Sequence, residues 1–88
     1  MASYFSNISE KEIKEFHTII AKNVKRLRLE NNQSLMDLSL DLGFRSGSFF
    51  GSAEACKNNK FSIEHLYKLS KVFNIPIEEF CKDNNKVI

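Results

Sequence analysis

Residues 20–43 read IAKNVKRLRLENNQSLMDLSLDLG, and this stretch decides the fold. Its first half places Val24 and Leu27 at helical spacing among several lysines and arginines, which predicts a basic amphipathic helix. Ser34 stands before an acidic first turn, where a serine commonly caps a helix, and Gly43 supplies the left-handed residue that commonly ends one. The stretch therefore predicts two helices joined by a short turn.

The first of these helices begins well before residue 20. Ser9, followed three residues later by Glu12, is a capping box that places the helix start near Glu10. Apolar residues then continue at steps of three or four: Ile13, Phe16, Ile20, Val24 and Leu27. The helix should end near Asn31–Asn32. The pattern leaves open whether its first two turns extend the helix or form a separate one packed beside it.

A third helix is predicted shortly after Gly43. Ser46 is placed to cap it, and it should cover about residues 47–55. Phe50 and Ala53 are three residues apart and therefore lie on one face of this helix, which we expect to face the core.

Two more helices are predicted after a polar, basic loop, KNNKF. Ser62 caps a fourth helix that ends at Asn74, and a short fifth helix carries Ile77 and Phe80. No stretch alternates apolar and polar residues as a strand would. The sequence thus predicts an all-α protein with five helices.

The chain has 88 residues and a net charge of +2, which suits a single domain with a modest core. We expect a disordered N-terminus over residues 1–8, a folded domain over 9–83 and a C-terminal tail over 84–88. No apolar run approaches the roughly 20 residues of a membrane span, and no signal peptide is evident, so we expect a cytoplasmic protein. Cys56 and Cys81 lack the spacing of a metal or redox site and should be reduced thiols.

The order of these signals resembles the Cro/phage-repressor class of helix-turn-helix proteins, often called XRE-like. The resemblance covers roughly residues 20–81 and rests on Val24, Leu27, Arg28, Ser34 and Gly43. It implies a lambda-repressor-like domain with an extended N-terminal helix. It also implies a small, sequence-selective transcriptional regulator that occupies an operator in duplex DNA as a homodimer, with no cofactor.

The third helix is the recognition helix by this resemblance, and helix ends and loops contact the phosphates. Gly47, Ser48, Gly51 and Ser52 should lie on its exposed side. The implied DNA-binding residues are Ser34, Arg45, Ser46, Gly47, Ser48, Gly51, Ser52, Lys57, Asn58, Asn59 and Lys60.

This segment departs from the class in two respects. It has a residue more than the commonest spacing between Gly43 and Glu54, and its exposed face has no Arg, Gln or Asn in the middle. Since those side chains give sharp base choice, we expect DNA to be read through its shape, through water or by Arg45.

Charged residues on the first helix have two interpretations. The class often places a structural ion pair where this chain has Arg28 and Glu54, so these side chains are predicted to meet. Lys22, Lys25 and Arg26 are either phosphate contacts or the solvated face of an amphipathic helix.

Other chemistry is weakly represented in the sequence. His17 and His65 are isolated, without a Cys or carboxylate at ligand spacing, so we expect no metal site. No nucleophile has a paired base and no glycine-rich loop could hold a phosphate, so we expect no enzyme and no small-molecule substrate. The alternative to a DNA-binding regulator is a protein-interaction module of the same fold, such as an antitoxin-like partner.

A homodimer needs a surface outside the helix-turn-helix. Two sets of apolar residues are available. Acidic residues lie beside the C-terminal set, and because they would repel DNA they belong on the side of the protein away from the phosphates. We therefore expect the C-terminal set to form the dimer surface. The N-terminal set is Tyr4, Phe5 and Phe16, and the C-terminal set is Ile77, Phe80 and Val87.

Overall fold

The computed structural model describes residues 7–83. This part of the chain is all-α and has no strands. Its elements are α1 (Glu10–Glu30), α2 (Leu35–Asp41), α3 (Ser48–Glu54), α4 (Ile63–Phe73) and a C-terminal 3-10 turn (Ile77–Cys81). The short fifth helix predicted after Pro76 is present as a 3-10 helix and not as a fifth α-helix. No helix among the described residues is long and apolar enough to cross a membrane.

α1 is one continuous helix of 21 residues, which answers the question that the sequence left open. Its predicted capping box is present: the Ser9 hydroxyl accepts a hydrogen bond from the Glu12 amide at 3.1 Å, and the Glu12 carboxylate accepts one from the Ser9 amide at 3.4 Å. The buried residues of α1 begin only at Ile20. The first two turns therefore project beyond the core as an exposed extension of the helix.

All four α-helices end in the same way, on a residue with a positive φ angle. The four residues are Asn32, Gly43, Cys56 and Asn74. After each one, a backbone amide donates to a carbonyl five residues earlier, at 2.9–3.0 Å: Gln33 to Arg28, Phe44 to Ser39, Lys57 to Ser52 and Ile75 to Ser70. This bond is typical of the Schellman motif and satisfies carbonyls that the helix end would leave free.

The core forms where α1 packs against α3 and against the C-terminal 3-10 turn. Its largest fully buried apolar side chains come from every element: Val24, Leu38, Phe50, Leu69 and Phe80. The predicted core positions Phe50 and Ala53 are both buried. A polar contact also joins α1 to the C-terminal segment: the buried Asn23 side-chain amide donates to the Phe80 carbonyl at 2.9 Å and to the Lys82 carbonyl at 2.7 Å.

The C-terminal dimer surface is not available as predicted. Phe80 is fully buried in the core and Ile77 is half-buried against it, so neither is a free apolar contact. Val87, Tyr4 and Phe5 lie outside the described residues, as do most of the expected disordered N-terminus and the tail at 84–88. The 3-10 turn is needed to close the core, which is why its aromatic side chain points inward.

Candidate nucleic-acid interface

α2 and α3 are in direct contact through Leu35 and two glycines. A Cβ atom added at Gly47 would lie 3.7 Å from the Leu35 Cβ, and one added at Gly51 would lie 3.7 Å from the Leu35 Cδ1. Both glycines are half-buried. The expectation that they lie on the exposed side of α3 is therefore corrected: the side of α3 that carries them faces α2, where a Cβ at either position would be in ordinary van der Waals contact with Leu35.

The start of α3 also differs from the prediction. Gly47, and not Ser46, is the N-cap residue, and it makes no side-chain capping bond. The Ser46 hydroxyl instead accepts a hydrogen bond from the Ser48 amide at 3.3 Å. This is a local side-chain turn that serine forms readily just before a helix. Ser46 thus orders the approach to α3 from one residue further out.

Ser48 and Ser52 have different environments, although both were predicted to lie on the exposed side of α3. Ser48 is exposed, whereas Ser52 is half-buried. The Ser52 hydroxyl accepts a hydrogen bond from the Asn58 amide at 3.3 Å. Ser52 therefore holds the loop that follows α3, a role that the sequence did not reveal because the bond depends on how the loop folds back.

This α3–α4 loop begins at Cys56, whose φ of 56° is rarely adopted by residues other than glycine, asparagine and aspartate. The turn is closed by the amide of Cys56, which donates to the Ala53 carbonyl at 3.2 Å, and by the Lys57 amide, which donates to the Ser52 carbonyl at 3.0 Å. Lys57, Asn58 and Lys60 are exposed, and Asn59 is half-buried. Hydrogen bonds thus fix the backbone at the start of the loop, and the loop carries two exposed lysines, Lys57 and Lys60.

Cations stand at both ends of α3. Arg45 precedes it and is exposed, and Lys57 and Lys60 follow it. Among the described residues none of these three side chains makes an ion pair. Ser34 lies nearby in the chain at the start of α2, where its hydroxyl accepts from the Asp37 amide at 2.9 Å and is occupied as the predicted N-cap.

The predicted contact between Arg28 and Glu54 is confirmed. The Arg28 Nε donates to one carboxylate oxygen at 2.8 Å, and its Nη2 donates to the other at 3.1 Å. The Arg28 Nη1 also donates to the Gln33 carbonyl at 2.9 Å. The two charged side chains are only 10% and 7% exposed. This bidentate pair fixes the end of α3, and with it the start of the basic loop, to α1 and to the α1–α2 turn.

The remaining cations of α1 divide between the two interpretations. Arg26 lies 3.3 Å from Glu30 in a surface ion pair, while Lys22 and Lys25 are exposed. Two of the four cations at positions 22–28, Arg26 and Arg28, are thus paired with carboxylates of the protein. We therefore regard the α3–α4 loop as the better candidate for a phosphate contact.

Phe49 of α3 packs within a cluster of aromatic side chains. Phe49 is half-buried and stacks on Phe44 with ring centroids 4.9 Å apart, and it also packs on His65 at 4.8 Å and on Phe61 at 6.3 Å. Phe49 therefore covers the core beside the fully buried Phe50.

His65 completes a capping box that the sequence analysis missed. The Ser62 hydroxyl accepts from the His65 amide at 3.2 Å, and the His65 Nδ1 accepts from the Ser62 amide at 2.9 Å. Only Glu or Gln is usually sought at this position, but a neutral imidazole nitrogen is also an acceptor. Burial lowers the pKa of His65 below its ordinary value, and nearby Lys68 acts in the same direction while Glu64 opposes it.

We expect stability to decrease with acidity because of His65. A histidine whose pKa is lower in the folded state contributes stability that is fully present above its unfolded pKa of about 6.5 and is lost as the pH falls from there toward the folded value. His65→Gln keeps an acceptor for the Ser62 amide and does not titrate. The melting temperature of the variant should therefore fall less than that of the wild type between pH 7 and about pH 5. Equal pH profiles for His65→Gln and wild type would contradict the assignment.

Residues 7–83 contain no group of three or more His, Cys, Asp or Glu side chains arranged to hold a metal ion. A comparison of the chain with known protein families, curated proteins and solved structures finds no match.

Proposed function

We propose that this protein is a small cytoplasmic regulator of transcription that binds duplex DNA as a homodimer, with α3 directed to the major groove. The observation that carries the proposal is that exposed cations stand at both ends of a short helix held against α2, with no ion-pair partner among residues 7–83: Arg45 before the helix, and Lys57 and Lys60 after it. A helix flanked by positive charge suits a groove flanked by phosphates.

The exposed part of α3 gives this proposal a particular form. Gly47 and Gly51 face Leu35, Ser52 is engaged by the loop, and Ser48 is the polar side chain left on the exposed face. A single hydroxyl distinguishes bases weakly, whereas bidentate Arg, Gln or Asn contacts supply about 1–3 kcal/mol of discrimination each. In this form, affinity comes mostly from phosphate contacts, and selectivity between sequences comes from DNA shape more than from contacts to base edges.

The test is the salt dependence of duplex binding by the full chain. Each phosphate contact adds roughly 0.9 to the slope of log affinity against log salt concentration, so Lys57→Ala and Lys60→Ala should each lower the slope by about one and weaken binding similarly for all duplexes. Lys71→Ala removes the same charge from α4, where Lys71 lies over the Tyr67 ring in the groove between α2 and α4, and it should leave the slope unchanged.

Absence of duplex binding at low salt would contradict the proposal and favour the protein-interaction module. Binding whose slope is unchanged in both loop variants would contradict the assignment of the loop and move the phosphate surface to Lys22 and Lys25 on α1. Light scattering at tens of micromolar checks the assembly, since a monomer both alone and on DNA would contradict the homodimer.

A further inference from the structure

A small cleft lies between the exposed extension of α1 and the α3–α4 loop. Lys14, His17 and Thr18 form one wall, and the loop residues Lys57 and Lys60 stand on the other. The rest of the lining comes from Ala53, Cys56, Asn59 and Phe61. We call this the α1–loop cleft. The α1 wall is formed by turns that precede residue 20, which the helix-turn-helix resemblance does not cover.

The α1–loop cleft is lined by positive charge. Of the residues within 7–83 that line it, three are lysines and none carries a carboxylate. Glu10 lines a shallower cleft shared with Lys14 and Lys60, but no ion pair joins it to either lysine. Lysines that line one opening repel one another, and a bound anion would relieve that repulsion.

The size and donors of the cleft indicate which anion it takes. Its volume is about 160 Å³, well below the roughly 300–1,000 Å³ of sites that enclose drug-sized ligands. Besides the lysines, His17 and Asn59 line the cleft. The Thr18 hydroxyl donates a hydrogen bond to the Lys14 carbonyl at 3.0 Å. Lysine acts as a point charge toward phosphate oxygens, and the Phe61 and Ala53 side chains lower the local dielectric, which strengthens that attraction.

We propose that the α1–loop cleft binds a single phosphate group, with Lys14 on the α1 extension acting together with Lys57 and Lys60. When the phosphate belongs to a DNA backbone, the inference rests on the proposed function, and the α1 extension becomes a second arm of the DNA interface beside the recognition helix. A free phosphate-bearing molecule has the same chemistry, and the experiment separates the two sources.

The first measurement is an NMR titration of the ¹⁵N-labelled full chain with inorganic phosphate, with sodium chloride at matched ionic strength as the reference. The amides of His17, Thr18, Cys56 and Asn59 should shift with phosphate and not with chloride. Lys14→Ala should weaken phosphate binding about three- to five-fold, as expected for one exposed charge contact. Lys11→Ala removes the same charge from the same helix outside the cleft lining and should have little effect.

The second measurement is duplex binding over roughly 50–200 mM salt, because a merely structural role for Lys14 would not change the number of phosphates neutralised. If the phosphate is that of DNA, Lys14→Ala lowers the salt slope by about one and Lys11→Ala does not. Circular dichroism of both variants should match the wild type, since both side chains are exposed.

The outcomes separate the two proposals. Cleft amides that shift with inorganic phosphate and weaken in Lys14→Ala, in a protein that fails to bind duplex DNA, support a free phosphate ligand and refute only the DNA-binding function. Duplex binding that is lost with Lys57 and Lys60 but has the same slope in Lys14→Ala, with cleft amides that ignore phosphate, overturns this inference and leaves the DNA-binding function standing. Cleft amides that ignore both phosphate and DNA also overturn it.

Discussion

Replacing Glu54 by alanine is expected to lower the free energy of unfolding by about 3–5 kcal/mol. The substitution leaves the Arg28 guanidinium buried at the junction of α1 and α3 without its bidentate partner. The remaining bond to the Gln33 carbonyl cannot neutralise the charge. Removing one member of a buried pair is much more costly than removing both, because the partner loses its compensation and keeps its desolvation cost.

Urea denaturation measures this loss, and the chain supplies a matched control. Glu30→Ala breaks the Arg26–Glu30 pair, whose side chains are 40% and 57% exposed, so it should cost below about 1 kcal/mol. The double variant Arg28→Met, Glu54→Leu removes both charges and should recover most of the stability. A loss below about 1 kcal/mol for Glu54→Ala would show that solvent screens this pair as well.

Replacing Asn23 by aspartate is expected to cost about 3 kcal/mol, since two carbonyls lose their donor and each unsatisfied buried group costs about 1–3 kcal/mol. The Asn23 Nδ2 donates to the carbonyls of Phe80 and Lys82, and through them it holds the 3-10 turn over the core. A carboxylate of the same shape would present an oxygen to these two carbonyl oxygens. The 3-10 turn should therefore loosen first, and Phe80 with it.

Hydrogen exchange locates this effect and urea denaturation measures its size. In Asn23→Asp, amides of the 3-10 turn should exchange faster relative to those of α2 than they do in the wild type. Asn31→Asp makes the same chemical change at an exposed amide that donates to the Leu27 carbonyl at 2.7 Å. Even with an unfavourable charge at a helix C-terminus it should cost at most about 1 kcal/mol. Equal losses in the two variants would show that the contact between Asn23 and the turn is not what stabilises the C-terminal segment.

Helices and most of their ends were predictable from the sequence because capping acts over a few residues. Ser9, Ser34 and Ser62 cap their helices as predicted, and Gly43 and Asn74 end theirs in the left-handed conformation. These signals depend on side chains and backbone amides within three to five positions of each other, so no tertiary contact is needed to interpret them. The Ser62–His65 capping box was equally local, and it was missed only because histidine is an unusual partner.

The resemblance to the Cro/phage-repressor class also sufficed to predict that Arg28 meets Glu54, although the two residues are 26 positions apart. Spacing alone did not tell which face of α3 is free. A helix of seven residues has few turns over which a pattern can repeat, and glycine and serine carry little hydrophobic contrast. The contact between Leu35 and the two glycines therefore had to come from the packing of α2 on α3.

The amino-acid sequence by itself determined the four α-helices of residues 7–83, most of their caps and the apolar faces that form the core, because those depend on local bonding and on periodicity. Only the tertiary structure decided that Phe80 closes the core, that Ser52 holds the α3–α4 loop, and that Lys14 stands across a cleft from Lys57 and Lys60. Between Lys14 and Lys57 the chain passes through the rest of α1, all of α2 and α3, and the two connections that join these helices. Their distance depends on the summed directions of all of those segments, which are set when the apolar faces pack together and not by any single stretch of sequence.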